Sequence, residues 1–304
     1  MRVINFGSLN LDFVYAVNHF VRPGETLSSN GMQTFLGGKG LNQSIALKRA
    51  GADVIHAGCI GNDGEILRKG LEAAGVETKA LLTISGERSG HAIIQVDEKG
   101  QNCILLYGGA NRRITVDQIR ETLAECEEGD WLLLQNETNG VAEIMEEGSK
   151  KGMHIAFNPS PITEGMDQLP LDKVEYFLLN EVEGSALGES GNAEEILASM
   201  RKRYPQAKIV LTLGSDGALC WDGEKEWKQK IFPVKAVDTT AAGDTFTGYF
   251  LTAVGNGKNA GEALRIASAA SAIAVTREGA SPSIPTAAEV ADFLKKAGSN
   301  RPQK

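Results

Sequence analysis

Four cysteines stand far apart in the chain (Cys59, Cys103, Cys126 and Cys220), with no CxxC pair and no metal-ligand spacing. Neither a disulfide framework nor a cysteine-built metal centre is expected, and all four read as reduced core thiols. Basic residues are also short: 31 Lys and Arg against 39 Asp and Glu give a net charge of -8. A surface that neutralises a run of phosphates needs clustered Lys and Arg, so nucleic acid is excluded as a partner. No apolar run reaches the roughly 18 residues of a membrane span, and no membrane partner is expected. The opening MRVINFGSLNLD enters an apolar strand without a basic region or cleavage site, so no secretory leader is expected and the cytoplasm is the expected location.

Two nucleotide-binding signatures are missing as well. Lys39 follows a glycine pair, but the GxxxxGK[ST] spacing of a P-loop is absent; Gly255 to Ala260 loosely fits a dinucleotide fingerprint yet follows a helical segment instead of a strand. Aromatics are scarce at 6% and prolines number nine, while 35 glycines are scattered without a period. That excludes a collagen-like or low-complexity chain and leaves glycine to mark turns and ligand loops.

What is present is an alternation. Short β-branched or apolar runs at Arg2–Phe6, Val54–Cys59, Trp131–Leu134, His154–Phe157, Tyr176–Leu179 and Lys208–Leu213 are separated by segments with helical apolar spacing, such as Leu41–Ala50, Glu65–Ala74 and Val116–Cys126. This predicts an α/β fold, a doubly wound, mostly parallel sheet with helices on both faces. Two stretches break the pattern. In Leu11–Phe35 and Ser89–Tyr107, strand-like segments follow one another across turns, which predicts a small antiparallel lid inserted at about 11–36 and 89–108 of a domain spanning 1–298. The C-terminal third turns helical (Ala242–Val254, Ala260–Thr276, Thr286–Ala297), and residues 299–304 read as a disordered tail.

The segment 237–249, VDTTAAGDTFTGY, carries the most chemistry. Ala241, Ala242 and Gly243 precede a helical pattern, so unobstructed backbone N–H groups at a helix N-terminus would face an anion with the helix dipole behind them. Asp244, in the same turn, would stand beside a bound phosphate and could take the proton of an attacking hydroxyl. A first-turn carboxylate favoured by the dipole alone explains Asp244 equally well at this point.

The motif DTTAAGD at 238–244 resembles the second signature of the ribokinase family of sugar and nucleoside kinases, and the resemblance extends over nearly the whole chain. GSLNLD at 7–12 and GGKGLN at 37–42 resemble the family's sugar-binding segments, which implies sugar contacts from Asn10, Asp12, Gly38, Lys39 and Asn42. LQNET at 134–138 implies another from Glu137, and NPSP at 158–161 a loop shaping the site. The resemblance of NEVE at 180–183 to the family's NxxE motif implies that Asn180 approaches the nucleotide phosphates and that Glu183 organises Mg²⁺ through water. A capped helix start accounts for the same residues.

LTLGSDG at 211–217 resembles the nucleotide loop, implying ATP contacts from Thr212, Gly214, Ser215 and Gly217, with Gly243 and Ser268 also lining the nucleotide site. TREGASPS at 276–283 resembles the loop that holds a potassium-like monovalent cation, implying oxygens from Asp238, Thr240, Ala274, Arg277, Gly279 and Ser283. The expected activity is ATP-dependent phosphorylation of a sugar primary hydroxyl with Asp244 as base and Ala241–Asp244 as anion cradle. D-Ribose is the favoured sugar, because GSLNLD, GGKGLNQ, LQNET and TREGASPSIP together look most like the ribose-acting members. Leu9, Leu11 and Leu41 depart from the pattern beside sugar-contacting positions. A kinase of the same family acting on fructose, deoxyribose or adenosine is the first alternative and a non-catalytic sugar-binding protein the second, and an exposed lid edge with apolar residues points to a homodimer.

Overall fold

The computed structural model describes residues 1–189 and 191–299; the expected tail from residue 300 onward lies outside the described residues. The chain runs β1 (Arg2–Phe6), β2 (Asn10–Ala16), β3 (Gly31–Gly37), α1 (Lys39–Ala50), β4 (Asp53–Ile60), α2 (Glu65–Ala73), β5 (Leu81–Thr83), β6 (Gly90–Val96), β7 (Asn102–Tyr107) and α3 (Val116–Ala124). It continues through β8 (Trp131–Gln135), α4 (Val141–Lys150), β9 (His154–Asn158), β10 (Tyr176–Asn180), α5 (Glu181–Gly188), α6 (Ala193–Arg203), β11 (Lys208–Thr212), β12 (Ala218–Trp221), β13 (Glu226–Gln229), α7 (Ala242–Gly255), α8 (Ala260–Ala274) and α9 (Ala287–Ser299).

The apolar runs form one sheet in the order β13-β12-β11-β10-β9-β8-β1-β4-β5. Strands β5 to β11 in that order pair in parallel, and β12 and β13 close one edge antiparallel. Neighbouring residues of one strand serve opposite cores. On β1, Val3 joins the layer under α1, α7 and α8, and Ile4 joins the layer under α3, α4 and α6. Burial on both faces is why β8 reads WLLLQ, apolar without alternation. Strand order reverses at the β1/β8 pair, where β4 follows on one side and β9 on the other. In such sheets that reversal leaves a crevice at the strands' carboxyl ends.

The lid is a separate sheet in the order β3-β2-β6-β7. Each insertion folds as an antiparallel pair, β2 with β3 and β6 with β7, but the two join through a parallel β2/β6 pairing that makes the small sheet mixed. The parallel join follows from topology, since β2 and β6 both leave the main sheet in the same direction. The lid also corrects one expectation. Cys59, Cys126 and Cys220 are buried, whereas Cys103 is exposed, because β7 is an edge strand whose residues are all exposed. Among the described residues no helix is long and apolar enough to cross a membrane.

Candidate active site

Two close approaches assemble the site at the β1/β8 crevice. The N-terminus of α1 rests on the end of β1: a Cβ on Gly40 would lie 2.4 Å from the backbone of Gly7 and Ser8, a gap that only hydrogen fills. Helices α1 and α7 meet where a Cβ on Gly248 would lie 2.5 Å from the Ala46 side chain. One turn toward the N-terminus of each helix stand Asn42 and Asp244. The glycine crossing therefore brings them into contact, and Asn42 Nδ2 donates to Asp244 Oδ2 at 3.1 Å.

Asp244 is buried in the first turn of α7. The residue ahead of that helix, Ala241, adopts φ 58°, a left-handed conformation costly for a residue with a Cβ. The Ala242 N–H bonds the Thr239 carbonyl at 3.2 Å. The N–H groups of Gly243 and Asp244 have no protein acceptor among the described residues, so the positive end of the dipole is open. They face a cavity of about 260 Å³ lined also by Lys39, Asn180, Glu183 and Thr212.

Of the residues expected to contact the sugar, Lys39 opens α1, and its N–H donates to Glu137 Oε2 at 3.3 Å. The Ser8 hydroxyl donates to the same oxygen. Burial pushes the Glu137 carboxyl upward, against the pull of Lys39. It also pushes Asp12 up, to about 7, with the Glu137 charge adding to the effect. Burial pulls the Lys39 ammonium down, but Asp244, Glu137 and Glu183 together outweigh it and the net shift is upward, so Lys39 stays charged. Asn10 is buried at the start of β2, its Oδ1 accepting from Asn111 Nδ2 at 2.8 Å. Gly38 supplies the positive-φ turn, at φ 93°, into α1. Asn10 and Glu137 also border a cavity of about 400 Å³ reaching Leu106 and Tyr107 of the lid.

The residues expected to meet the nucleotide, Thr212, Gly214, Ser215, Gly217, Gly243 and Ser268, all line one mostly apolar cavity of about 430 Å³. Thr212, Ala242 and Gly243 belong to both this cavity and the smaller one, so the two adjoin at the α7 N-terminus. Asn180 and Glu183 make a reciprocal cap at the start of α5: Asn180 Oδ1 accepts from the Glu183 N–H at 2.9 Å, and Glu183 Oε2 from the Asn180 N–H at 3.0 Å. Each carboxylate oxygen keeps a lone pair for the cavity. No cluster of three or more His, Cys, Asp or Glu side chains arranged to hold a metal occurs among the described residues. The donor set thus fits a Mg²⁺ ion that keeps its waters and is held chiefly by phosphate oxygens, and does not fit an all-protein cage.

Asp238 ties two loops together. Its Oδ1 accepts from the Thr240 N–H at 2.9 Å and from the Thr240 hydroxyl at 2.6 Å, and its Oδ2 from the Gly279 N–H at 2.9 Å. Burial would raise this carboxyl, yet the three bonds hold it below the usual carboxylate range. The carbonyl groups of Thr240, Arg277, Gly279 and Ser283 have no donor among the described residues, a neutral oxygen set compatible with a monovalent cation. One other expected member is engaged: the Ala274 carbonyl accepts from the Arg277 N–H at 3.0 Å. Ser283 can offer only its carbonyl, since its buried hydroxyl donates to the Ala280 carbonyl at 2.7 Å.

Sequence reading missed several residues here. Ile231, Phe232, Val234 and Ala236 wall the larger cavity; the signal was an apolar stretch, IFPVKAV, broken by proline just before the DTTAAGD motif. Ser8, Gln43 and Asn111 hold site residues directly, and nothing in their spacing marked them.

A model of the pfkB family of carbohydrate kinases matches residues 2–287. A ribokinase of Haemophilus influenzae is 38% identical over 96% of this chain and 97% of its own length. A ribokinase of Bacillus subtilis is 36% identical over 95% and 97%. The structure of an Arabidopsis thaliana ribokinase complexed with ribose and ATP superposes with a TM-score of 0.84 at 30% identity, covering 96% of this chain and 98% of that one.

Proposed function

The chain belongs to the pfkB family of carbohydrate kinases, and we propose that it transfers the γ-phosphoryl group of ATP to the primary hydroxyl of D-ribose, giving D-ribose 5-phosphate. One observation carries the reading: Asp244 stands at an open helix N-terminus, between the Asn42 amide on the sugar side and the cavity shared with the nucleotide side. The names of the relatives and the ribose and ATP in the Arabidopsis complex support the choice of sugar and nucleotide.

In this reading the sugar lies under the lid against Asn10, Asp12, Gly38, Lys39, Asn42 and Glu137. Asp244 takes the proton of the sugar hydroxyl on a carboxylate oxygen as the hydroxyl oxygen attacks the γ-phosphorus in line and the bond to the β–γ bridging oxygen breaks, releasing ADP. Gly243 and Asp244 N–H groups, behind Ala241 and Ala242, meet the charge that spreads over the equatorial oxygens. Lys39, kept cationic by three carboxylates, balances charge between sugar and phosphate. Asn180 approaches the phosphates, and Thr212, Gly214, Ser215, Gly217 and Ser268 receive the nucleoside. Glu183 would hold water on Mg²⁺, whose charge offsets that of the β- and γ-phosphates. Carbonyl oxygens of the Asp238–Thr240 and 274–283 loops would hold K⁺, keeping Ala241 in its left-handed turn. Closure of the lid over the sugar excludes water, the competing acceptor, and the same lid pairs two chains into a homodimer.

The test is ADP release from Mg·ATP with ribose, deoxyribose, fructose and adenosine, each in potassium and in sodium. Turnover strongest on ribose and raised by potassium is the expected result. Turnover strongest on another acceptor moves the specificity within the family, and no turnover on any acceptor overturns the kinase reading.

A further inference from the structure

The carboxylate of Asp244 has a second partner. Gln43 Nε2 donates to Asp244 Oδ1 at 2.9 Å and, with its other hydrogen, to Asn158 Oδ1 at 3.2 Å. Gln43 is fully buried, as are Gln135 and Asn5 behind it. Gln135 Nε2 donates to Gln43 Oε1 at 2.8 Å and to Asn5 Oδ1 at 2.9 Å; Asn5 Nδ2 donates to the Gly40 carbonyl and to Ser44 Oγ, each at 2.8 Å.

The polarity of this chain follows from its far end. A backbone carbonyl only accepts, so Gly40 forces Asn5 to present its NH₂ there and its oxygen to Gln135. Gln135 must then answer with its NH₂, which it also turns to the Gln43 oxygen. Gln43 is left with only its NH₂ to offer Asp244. A second line reaches the same conclusion. The Leu178 carbonyl takes Asn158 Nδ2 at 2.8 Å, so Asn158 also shows Gln43 an oxygen. Both hydrogens and the oxygen of Gln43 are thus committed, in a buried setting where an unmade bond is costly. A flip or a rotamer change would break three bonds at once.

We infer that Gln43 is a positioning residue, an amide locked by the β1/β8 crevice that fixes the rotation of the Asp244 carboxylate and so aims its other oxygen at the acceptor hydroxyl. This rests on the reading of Asp244 as the base. Asn42 alone does not fix that rotation, because it holds only one of the two carboxylate oxygens and its own Oδ1 has no partner. Gln43 holds the other oxygen, Oδ1, from an amide whose remaining hydrogen and oxygen are both engaged. In Gln43→Met, similar in shape but without a donor, the carboxylate gains rotational freedom while the sugar contacts stand.

The experiment is a steady-state double-mutant cycle of Gln43→Met and Asp244→Asn, with kcat and sugar KM measured at saturating Mg·ATP. Gln43→Met should lower kcat about 10- to 100-fold, as a misaimed catalytic group does, and change sugar KM by less than about threefold, since it removes no ground-state contact. In the Asp244→Asn background the same substitution should change the residual rate by less than about twofold, because a residue acting only through Asp244 has nothing left to aim. Equal fold-losses in both backgrounds, or an unchanged kcat in the wild-type background, would overturn the inference. Wild-type turnover by Asp244→Asn alone would instead overturn the assignment of the base, and is read separately. Should Gln43→Met fail to fold, Gln135→Met, which frees the Gln43 oxygen, carries the same comparison with a smaller loss.

Discussion

Asp12 carries a carboxyl whose charge depends strongly on its surroundings. Burial lifts its carboxyl from the ordinary range to about 7, and the Glu137 charge contributes to the shift. An acid with a raised native pKa binds its proton more tightly folded than unfolded, so ionising Asp12 works against the fold. Stability without sugar should therefore fall as pH rises from the usual carboxylate range to about 7. Sugar binding runs the opposite way. A carboxylate accepts two vicinal hydroxyls, whereas the protonated group gives up one acceptor position. Sugar KM should thus fall as pH goes from about 6 to 8, and Asp12→Asn should raise KM and blunt that slope while leaving the fold's melting temperature less sensitive to pH over the window. A KM in the wild type that is flat across this range would show that Asp12 does not contact the sugar in its ionised form.

The N-terminus of α7 is the element on which chemistry turns, and it offers a substitution that separates folding from function. A Cβ at Gly243 would meet nothing within 4 Å, and Gly243 lines both cavities. Gly243→Val should fold with a melting temperature close to wild type but fill the space in front of the free N–H groups. A loss of about 10²-fold or more in kcat/KM for ATP is expected, checked by initial rates beside a thermal melt; an active variant would move the phosphate away from this helix. At the scale of elements most of the fold was legible. Strands buried on both faces leave unbroken apolar runs such as WLLLQ, helices leave a different period, and DTTAAGD joins small residues to a carboxylate at a helix start. The rest was hidden for physical reasons. Asn5 lies within buried β1 and Gln135 and Asn158 end the buried strands β8 and β9, and the hydrogen bonds that satisfy them link positions 20 to 130 residues apart. The parallel β2/β6 pairing joins segments 80 residues apart, which no local turn announces. Cys103 read as core because an edge strand has the same composition as an inner one.

Among the described residues, several exposed apolar side chains stand side by side on one strand of the lid. Leu105 is 68% exposed, with Ile104, Leu106 and Tyr107 beside it on β7, the free edge of the four-stranded sheet. An unpaired strand edge with contiguous apolar side chains invites association, and a closed two-fold pairing satisfies it without polymerising. The wild type should therefore show twice the 32.4 kDa chain mass by light scattering at about 10 µM, and Leu105→Glu should show the chain mass, since like charges meet across a two-fold axis. The lid also carries Asp12 on β2, hydrogen-bonded through β6 to β7. If pairing holds the lid in its sugar-binding position, the monomeric variant populates that position less, and its apparent affinity for sugar falls by the same fraction. Leu105→Glu should then raise sugar KM severalfold while kcat at saturating sugar changes little. A monomeric variant with an unchanged sugar KM would separate assembly from binding, and a wild type of single-chain mass would remove the lid as an interface.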